Sequence, residues 1–257
     1  SSVKTKPATT GIAEIDRLTG GILEGDNIVW EVDSGTPVDE FITRFIARCE
    51  ASHQPVVYVS FNRSPQTIAG KYGPLMSKGR FALLDCFASG KGNSDPMFLD
   101  FFRNTADHGG VQVVHIEDPS DPAKLQEAVI KLRHEGPGQA MYVFDSLTGM
   151  LDLWGDEDRA LRFFGHICPR LYDLTTIAYW LLEKDAHSEP FLAKVRHITQ
   201  VVLELSVTQG VRSLTVRKAA DRQCSDVGVP RRFEISEAGL VITEESREGR
   251  ELSLLNR

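Results

Sequence analysis

Short runs of β-branched and aromatic residues alternate along this chain with segments whose apolar positions recur at helical spacing. Strands are predicted at Ile28–Val32, Val56–Phe61, Val111–Glu117, Met141–Asp145 and Ile177–Glu183, none of which carries an interior proline. Between the first two, Val38, Phe41, Ile42, Phe45, Ile46 and Cys49 fall at i, i+3, i+4, i+7, i+8 and i+11. That spacing lines one face of a helix over Val38–Ala51. Ser64-Pro65, Asp95-Pro96 and Asp121-Pro122 each set a capping oxygen before a proline suited to the first helical position, which marks three further helix starts. Strands separated by helices build a parallel sheet with crossover helices, because parallel neighbours cannot be joined by a tight turn.

The rhythm changes in the last third. Val201–Val207 and Val211–Lys218 flank Thr208-Gln209-Gly210, and Arg232–Ser236 and Gly239–Ile242 flank a second short turn, so two antiparallel hairpins should finish the sheet. No internal repeat or linker divides the chain. One domain is predicted over residues 1–243, followed by a charged tail over 244–257.

Composition narrows the class without naming a chemistry. Of 257 residues, 41% are hydrophobic and 25% charged, close to average globular usage, which excludes collagen-like, disordered and coiled-coil chains. A chain of this length buries roughly 70–75% of its unfolded surface, so it needs neither metal nor disulfide to fold. Cys49, Cys86, Cys168 and Cys224 lie far apart with no C-x-x-C spacing, as expected of reduced thiols in the cytoplasm. The apolar run Thr175–Leu182 is closed by Asp173 and Glu183, well short of a bilayer span, and SSVKTKPATTG at the amino terminus has no apolar core, so no membrane partner is expected. The net charge of −7 opposes a nucleic-acid partner, since affinity for phosphate polymers comes from clustered Lys and Arg. No pair of the seven histidines has H-x-x-x-H or H-E-x-x-H spacing, so no metal site is predicted. Ser146 follows a strand but lacks the glycines of a G-x-S-x-G elbow, which leaves only a weak serine-hydrolase signal.

Ligands of parallel α/β sheets bind at the carboxyl ends of the strands, and the first strand-to-helix turn is the natural anion site. Here that turn runs from Val32 to Phe41. Around it, Thr10-Gly11-Ile12, Ile15-Asp16, Leu18, Gly20-Gly21, Gly25 and the strand Ile28–Val32 resemble the opening of the KaiC-like branch of the RecA-type P-loop ATPases. The resemblance continues through Tyr58-Val59-Ser60-Phe61, a Walker-B-like Val143-Phe144-Asp145-Ser146-Leu147-Thr148, and Phe233-Glu234-Ile235 with Gly239 in the closing hairpin. It spans nearly the whole chain. It implies a RecA-like three-layer α/β sandwich, with a mostly parallel central sheet and antiparallel hairpins at the carboxyl end.

The same resemblance implies a degenerate Walker A loop. With Phe41 as anchor, the family's Gly-Lys-Thr-Thr-Phe falls on Pro37-Val38-Asp39-Glu40-Phe41, so Val38 stands for the phosphate-binding lysine and Asp39 for the hydroxyl that holds Mg²⁺. Gly35 and Thr36 alone match. The acidic pair that polarises the attacking water falls on Asn62 and Arg63, neither of which is a general base at neutral pH. Thr36-Pro37-Val38-Asp39 itself reads as a helix start, with Thr36 as N-cap, Pro37 at the first helical position and Asp39 at the third. Asp39 and Glu40 would then supply the helix end with its own negative charge.

A remnant nucleotide site would consist of Gly35, Thr36, Asp145, Ser146 and Lys218, the last resembling the hairpin lysine that reaches a neighbouring subunit's nucleotide. In the competing reading of Asp145, it simply caps the following turn with Ser146 and Thr148. Arg222, Arg231 and Arg232 make either a basic strip or, with Asp221 and Asp226, a solvated hairpin of mixed charge. No catalytic residue, metal or cofactor is expected under the main reading, an inactive pseudo-ATPase serving as a structural or regulatory subunit whose partners are proteins, itself or an active paralogue among them. Under the alternative, the protein binds ATP and magnesium and is a slow ATPase or kinase. A third reading, a recombinase-like DNA-binding module, is opposed by the net charge and by four carboxylates within Gly149–Asp158.

Overall fold

The computed structural model of the chain describes residues 6–104, 108–135 and 139–243; the charged tail predicted over 244–257 lies outside the described residues. In chain order the elements begin with β1 (Pro7–Ala8), α1 (Ala13–Leu18), β2 (Ile22–Leu23), β3 (Asn27–Val32), α2 (Val38–Ala51), β4 (Val56–Ser60), α3 (Pro65–Tyr72), β5 (Phe81–Asp85), α4 (Pro96–Asn104) and β6 (Gln112–His115). They continue with α5 (Pro122–Glu135), β7 (Met141–Asp145), α6 (Leu147–Trp154), α7 (Glu157–Asp173), β8 (Ala178–Glu183), α8 (Glu189–Ile198), β9 (Val201–Thr208), β10 (Val211–Ala219), β11 (Arg231–Ser236) and β12 (Gly239–Ile242).

Ten of these strands form one sheet in the order β12-β11-β10-β9-β3-β8-β7-β4-β5-β6. The seven from β9 to β6 are mutually parallel, and β10, β11 and β12 extend the β9 edge in antiparallel pairing. Period-2 alternation sorts the side chains onto two faces. Ile28, Trp30 and Val32 of β3 and Met141 and Val143 of β7 meet α1, α2 and α3 on one face, through residues such as Ile15, Phe41, Phe45 and Ile68. Val29, Tyr142, Phe144 and Trp180 point the other way, to Leu125, Met150, Phe164 and Val195 on α5, α6, α7 and α8. The molecule is therefore a three-layer α/β sandwich of the RecA-like kind.

Aromatic contacts tie each face. Trp30 packs on Phe41 and Tyr179 with ring centroids 5.2 and 5.4 Å apart, while Phe144 stacks on Trp180 at 3.8 Å. The three Ncap–Pro starts are present: Ser64, Asp95 and Asp121 accept from the backbone N–H groups of Thr67, Met97 and Ala123. Gln209 and Gly210, both at positive φ, turn β9 into β10. The sequence pattern omits β5. Its Phe-Ala-Leu-Leu core combines good helix formers in too short a run for periodicity to separate strand from buried helix.

Candidate functional site

Asp145 ends β7 on the face covered by α2, and β4 ends alongside it, with Ser60 paired to Asp145. Beyond Ser60 the chain turns sharply, because the Ser60 hydroxyl donates to the Arg63 carbonyl at 2.7 Å. That turn brings Asn62 and Arg63 back over the strand ends.

Arg63 is the centre of the site. Its guanidinium forks onto Asp39 of α2, with Nη1 to Oδ2 at 2.9 Å and Nη2 to Oδ1 at 3.0 Å. The same Nη2 donates to Asp145 Oδ2 at 2.9 Å and to the Tyr58 hydroxyl at 2.8 Å. Tyr58 in turn donates to Asp145 Oδ2 at 2.6 Å, and Tyr72 to Asp39 Oδ1 at 2.6 Å. Lys71 adds a longer pair to Asp39 at 3.4 Å. Asn62 Nδ2 donates to Ser146 Oγ at 2.7 Å, and Ser146 also accepts from the Gly149 N–H, capping α6. Gly149 has no room for a side chain: a Cβ there would lie 2.3 Å from Asn62 Oδ1.

The electrostatics follow from this arrangement. Burial acts to raise the pKa of Asp39, but hydrogen bonds from Tyr72 and Arg63 and the charges of Arg63 and Lys71 outweigh it and hold the carboxyl below its usual range. Burial likewise opposes the charge on Arg63, and its neighbours Tyr58, Asp145 and Asp39 overcome that and raise its pKa. Burial, reinforced by Asp145, pushes the Tyr58 phenol well up, so it remains a donor. A delocalised cation thus lies between two carboxylates from different elements, a geometry that suits the planar fork of arginine.

The strand-to-helix turn differs from its predicted form. α2 begins at Val38, so Pro37 takes the flanking position and no side chain caps the helix. Thr36 folds back instead, donating its hydroxyl to the Asp33 carbonyl at 2.7 Å, while the Thr36 and Pro37 carbonyls accept from Val38 and Glu40. Thr36 is thus not the N-cap, nor Pro37 the first helical residue. The carboxylates do not form a free anion at the helix end either, since Asp39 is tied to Arg63 and Glu40 to Arg44 at 3.0 Å. Gly35 sits at φ +82°, a left-handed conformation that explains the glycine, with open space where a Cβ would be. Asp33 in the same turn pairs with Lys184 at 3.0 Å.

Of the predicted remnant residues, Asp145 and Ser146 meet at Asn62, and Gly35 and Thr36 lie in the turn before α2. Asp145 does not cap the following turn; Ser146 does, and Thr148 instead accepts from the Glu183 N–H. Lys218 stands apart. Strands β8, β3 and β9 separate its strand from β7, a distance of roughly 19 Å at about 4.8 Å per strand. Its ammonium caps α8, on the opposite face, by donating to the Arg196 carbonyl at 2.7 Å. Arg222 and Arg231 are neither a basic strip nor a solvated hairpin. Arg222 is a buried partner of Asp26 at 2.6 and 2.7 Å, and Arg231 of Asp226 at 2.7 Å, which leaves Arg232 alone exposed.

The turn sets Asp33, Asp39 and Glu40 around the apolar Val38, and Asp145 Oδ2 accepts from both Arg63 and Tyr58. Among the described residues no group of three or more His, Cys, Asp or Glu side chains is arranged to hold a metal ion, and no helix is long and apolar enough to cross a membrane.

No protein-family profile matches this chain, and no curated protein sequence does. Solved structures do. A KaiC-like protein from the hyperthermophilic archaeon Pyrococcus horikoshii superposes with a TM-score of 0.64 over 93% of this chain and 99% of that one, at 15% identity. The chain thus shares the fold of that KaiC-like protein. At that identity the likeness is one of fold.

Proposed function

We propose that this chain is a pseudo-ATPase: a KaiC-like domain with a degenerate Walker A turn that has lost nucleotide hydrolysis and works as a structural or regulatory subunit, binding protein partners such as further copies of itself or an active relative. The observation that carries this reading is the Arg63 bridge between Asp39 and Asp145. In an ATPase of this fold the space between the Walker B carboxylate and the first turn of the helix belongs to a metal ion and phosphate oxygens. Here a side chain of the protein supplies the positive charge, and it stands where the resemblance places an acidic residue. Loss of the lysine, of the metal-binding hydroxyl and of the catalytic acid is chemically linked, and the Arg63 bridge is the form that linkage takes. Asp33, Asp39 and Glu40 at this turn are already paired with Lys184, Arg63 and Arg44, so a triphosphate draws on these cations only by separating them from their carboxylates.

Titration calorimetry with Mg·ATP tests the reading directly. No saturable heat is expected at micromolar to high micromolar nucleotide, and sedimentation velocity is expected to give the same assembly state with and without Mg·ATP. Micromolar affinity, or phosphate release abolished by Asp145→Ala, overturns it in favour of a slow ATPase or kinase.

A further inference from the structure

Adjacent parallel strands β5 and β6 end together, with Asp85 paired in register to His115. Asp85 is fully buried. Its Oδ1 accepts the backbone N–H groups of Phe87 and Ala88 at 2.9 and 3.1 Å, which fixes the carboxylate plane, and its Oδ2 faces His115 Nδ1 at 3.1 Å. A carboxylate only accepts, so Nδ1 carries a proton, and in the neutral ring Nε2 presents a lone pair. That lone pair meets the Ser89 hydroxyl at 3.0 Å. Ser89 and His115 are both half-buried.

We propose that Ser89, His115 and Asp85 form a nucleophile–base–orienting triad that hydrolyses small esters with an apolar acyl group. The arrangement meets the geometric criteria of such a triad, which is recognised by the roles of its members and not by their order in the chain. The peptide N–H of Ser89 donates to no group among the described residues and is available to a developing oxyanion. Helix α4 lays Phe98 edge-on against Phe87 at 4.9 Å and Phe102 against the His115 ring at 4.7 Å, an aromatic wall beside the loop that carries Ser89. An apolar acyl chain has that wall to pack on.

The reaction balances with water as the only co-reactant. The Ser89 oxygen bonds to the acyl carbon while its proton passes to His115 Nε2. The carbon–oxygen bond to the alcohol then breaks, and the leaving oxygen takes that proton. Water repeats the sequence on the acyl-serine, giving a carboxylic acid and restoring the Ser89 hydroxyl. Asp85 touches no reacting atom; it is a positioning residue that holds the ring in one tautomer. The site uses none of the Arg63 cluster, so the proposal stands independently of the reading of the β3–α2 turn.

The test is a fluorophosphonate probe with peptide mapping by mass spectrometry, alongside hydrolysis of p-nitrophenyl acetate and butyrate by the whole chain. A phosphonyl adduct on Ser89 is expected, with turnover falling to the buffer background in Ser89→Ala. In His115→Ala, turnover is expected to fall about 10²–10⁴-fold. Asp85→Asn is expected to lower kcat with little change in KM, as loss of a tautomer-fixing contact should. Circular dichroism spectra and Tm values establish that each variant is folded. Wild-type protein that shows no Ser89 adduct, or a folded His115→Ala variant labelled as fast as wild type, overturns the proposal.

Discussion

Replacing Arg63 with alanine removes the guanidinium that bridges Asp39 and Asp145. Asp145 has 9% of its side chain exposed and Asp39 33%, so the first is left as a charge with almost no water and the second with partial solvation. Breaking a buried pair from one side costs about 3–5 kcal/mol, and the solvent access of Asp39 places this case near about 3 kcal/mol. For a chain of this size each kcal/mol moves Tm by about 2–4 °C, so thermal denaturation followed by circular dichroism should show a loss of about 6–12 °C. The cost arises from stranded charge and not from lost packing. A triple variant, Asp39→Asn with Arg63→Met and Asp145→Asn, should therefore recover most of it, because the desolvation penalty vanishes with the charges. A loss under about 3 °C for Arg63→Ala, worth about 1 kcal/mol or less, would refute the reasoning, as would a triple variant no more stable than the single one.

Three further outcomes are expected. Burial acts to raise the pKa of Glu204, but hydrogen bonds from Arg217 and Ser206 and the charges of Arg217 and Lys184 bring it from 4.5 down to about 2. A depressed carboxyl stabilises the fold above its unfolded pKa and loses that contribution as pH falls through the folded value. Glu204→Gln should thus be less stable than wild type at neutral pH, with the difference in urea midpoint closing between pH 4.5 and about 2. Gly149→Ala drives a Cβ into Asn62 and Phe61 and should cost about 1–3 kcal/mol by denaturant titration; an unchanged midpoint would show that the turn after β4 yields freely. Phe144→Ala empties the ring stacked on Trp180 and should cost about 3–5 kcal/mol, with a shift in tryptophan emission as its check.

Much of the architecture is legible in the chain because its causes are local. Alternation and helical spacing depend on residues a few positions apart, so four of the five predicted parallel strands lie within one residue of the observed limits at each end, and β7 matches at both. The fifth, β6, is the exception: an edge strand pairs on one side only, and it holds Gln112–His115 out of the predicted Val111–Glu117. Capping is equally local, which is why Ser64, Asp95 and Asp121 act as predicted. Thr36 fails the same logic because the helix begins at Val38 with Pro37 in the flanking position, which leaves Thr36 one residue too early to accept from the first turn, and its hydroxyl donates back to the Asp33 carbonyl in a turn where Gly35 takes a positive φ.

By itself, then, the sequence determined the layered α/β class and, at the turn before α2, the residue types present: Val38 and Asp39, with Asn62 and Arg63 after the next strand. Only the tertiary structure decided what those types do. The 24 positions between Asp39 and Arg63, and the 82 between Arg63 and Asp145, are closed by a sheet order that sets β7 beside β4 under α2. The same holds for Ser89 and His115, 26 positions apart, and for Arg222 and Asp26, 196 apart. Ion pairs and relays act over a few ångströms and carry no periodic signature along the chain, so their partners become known only when strand order brings them within reach.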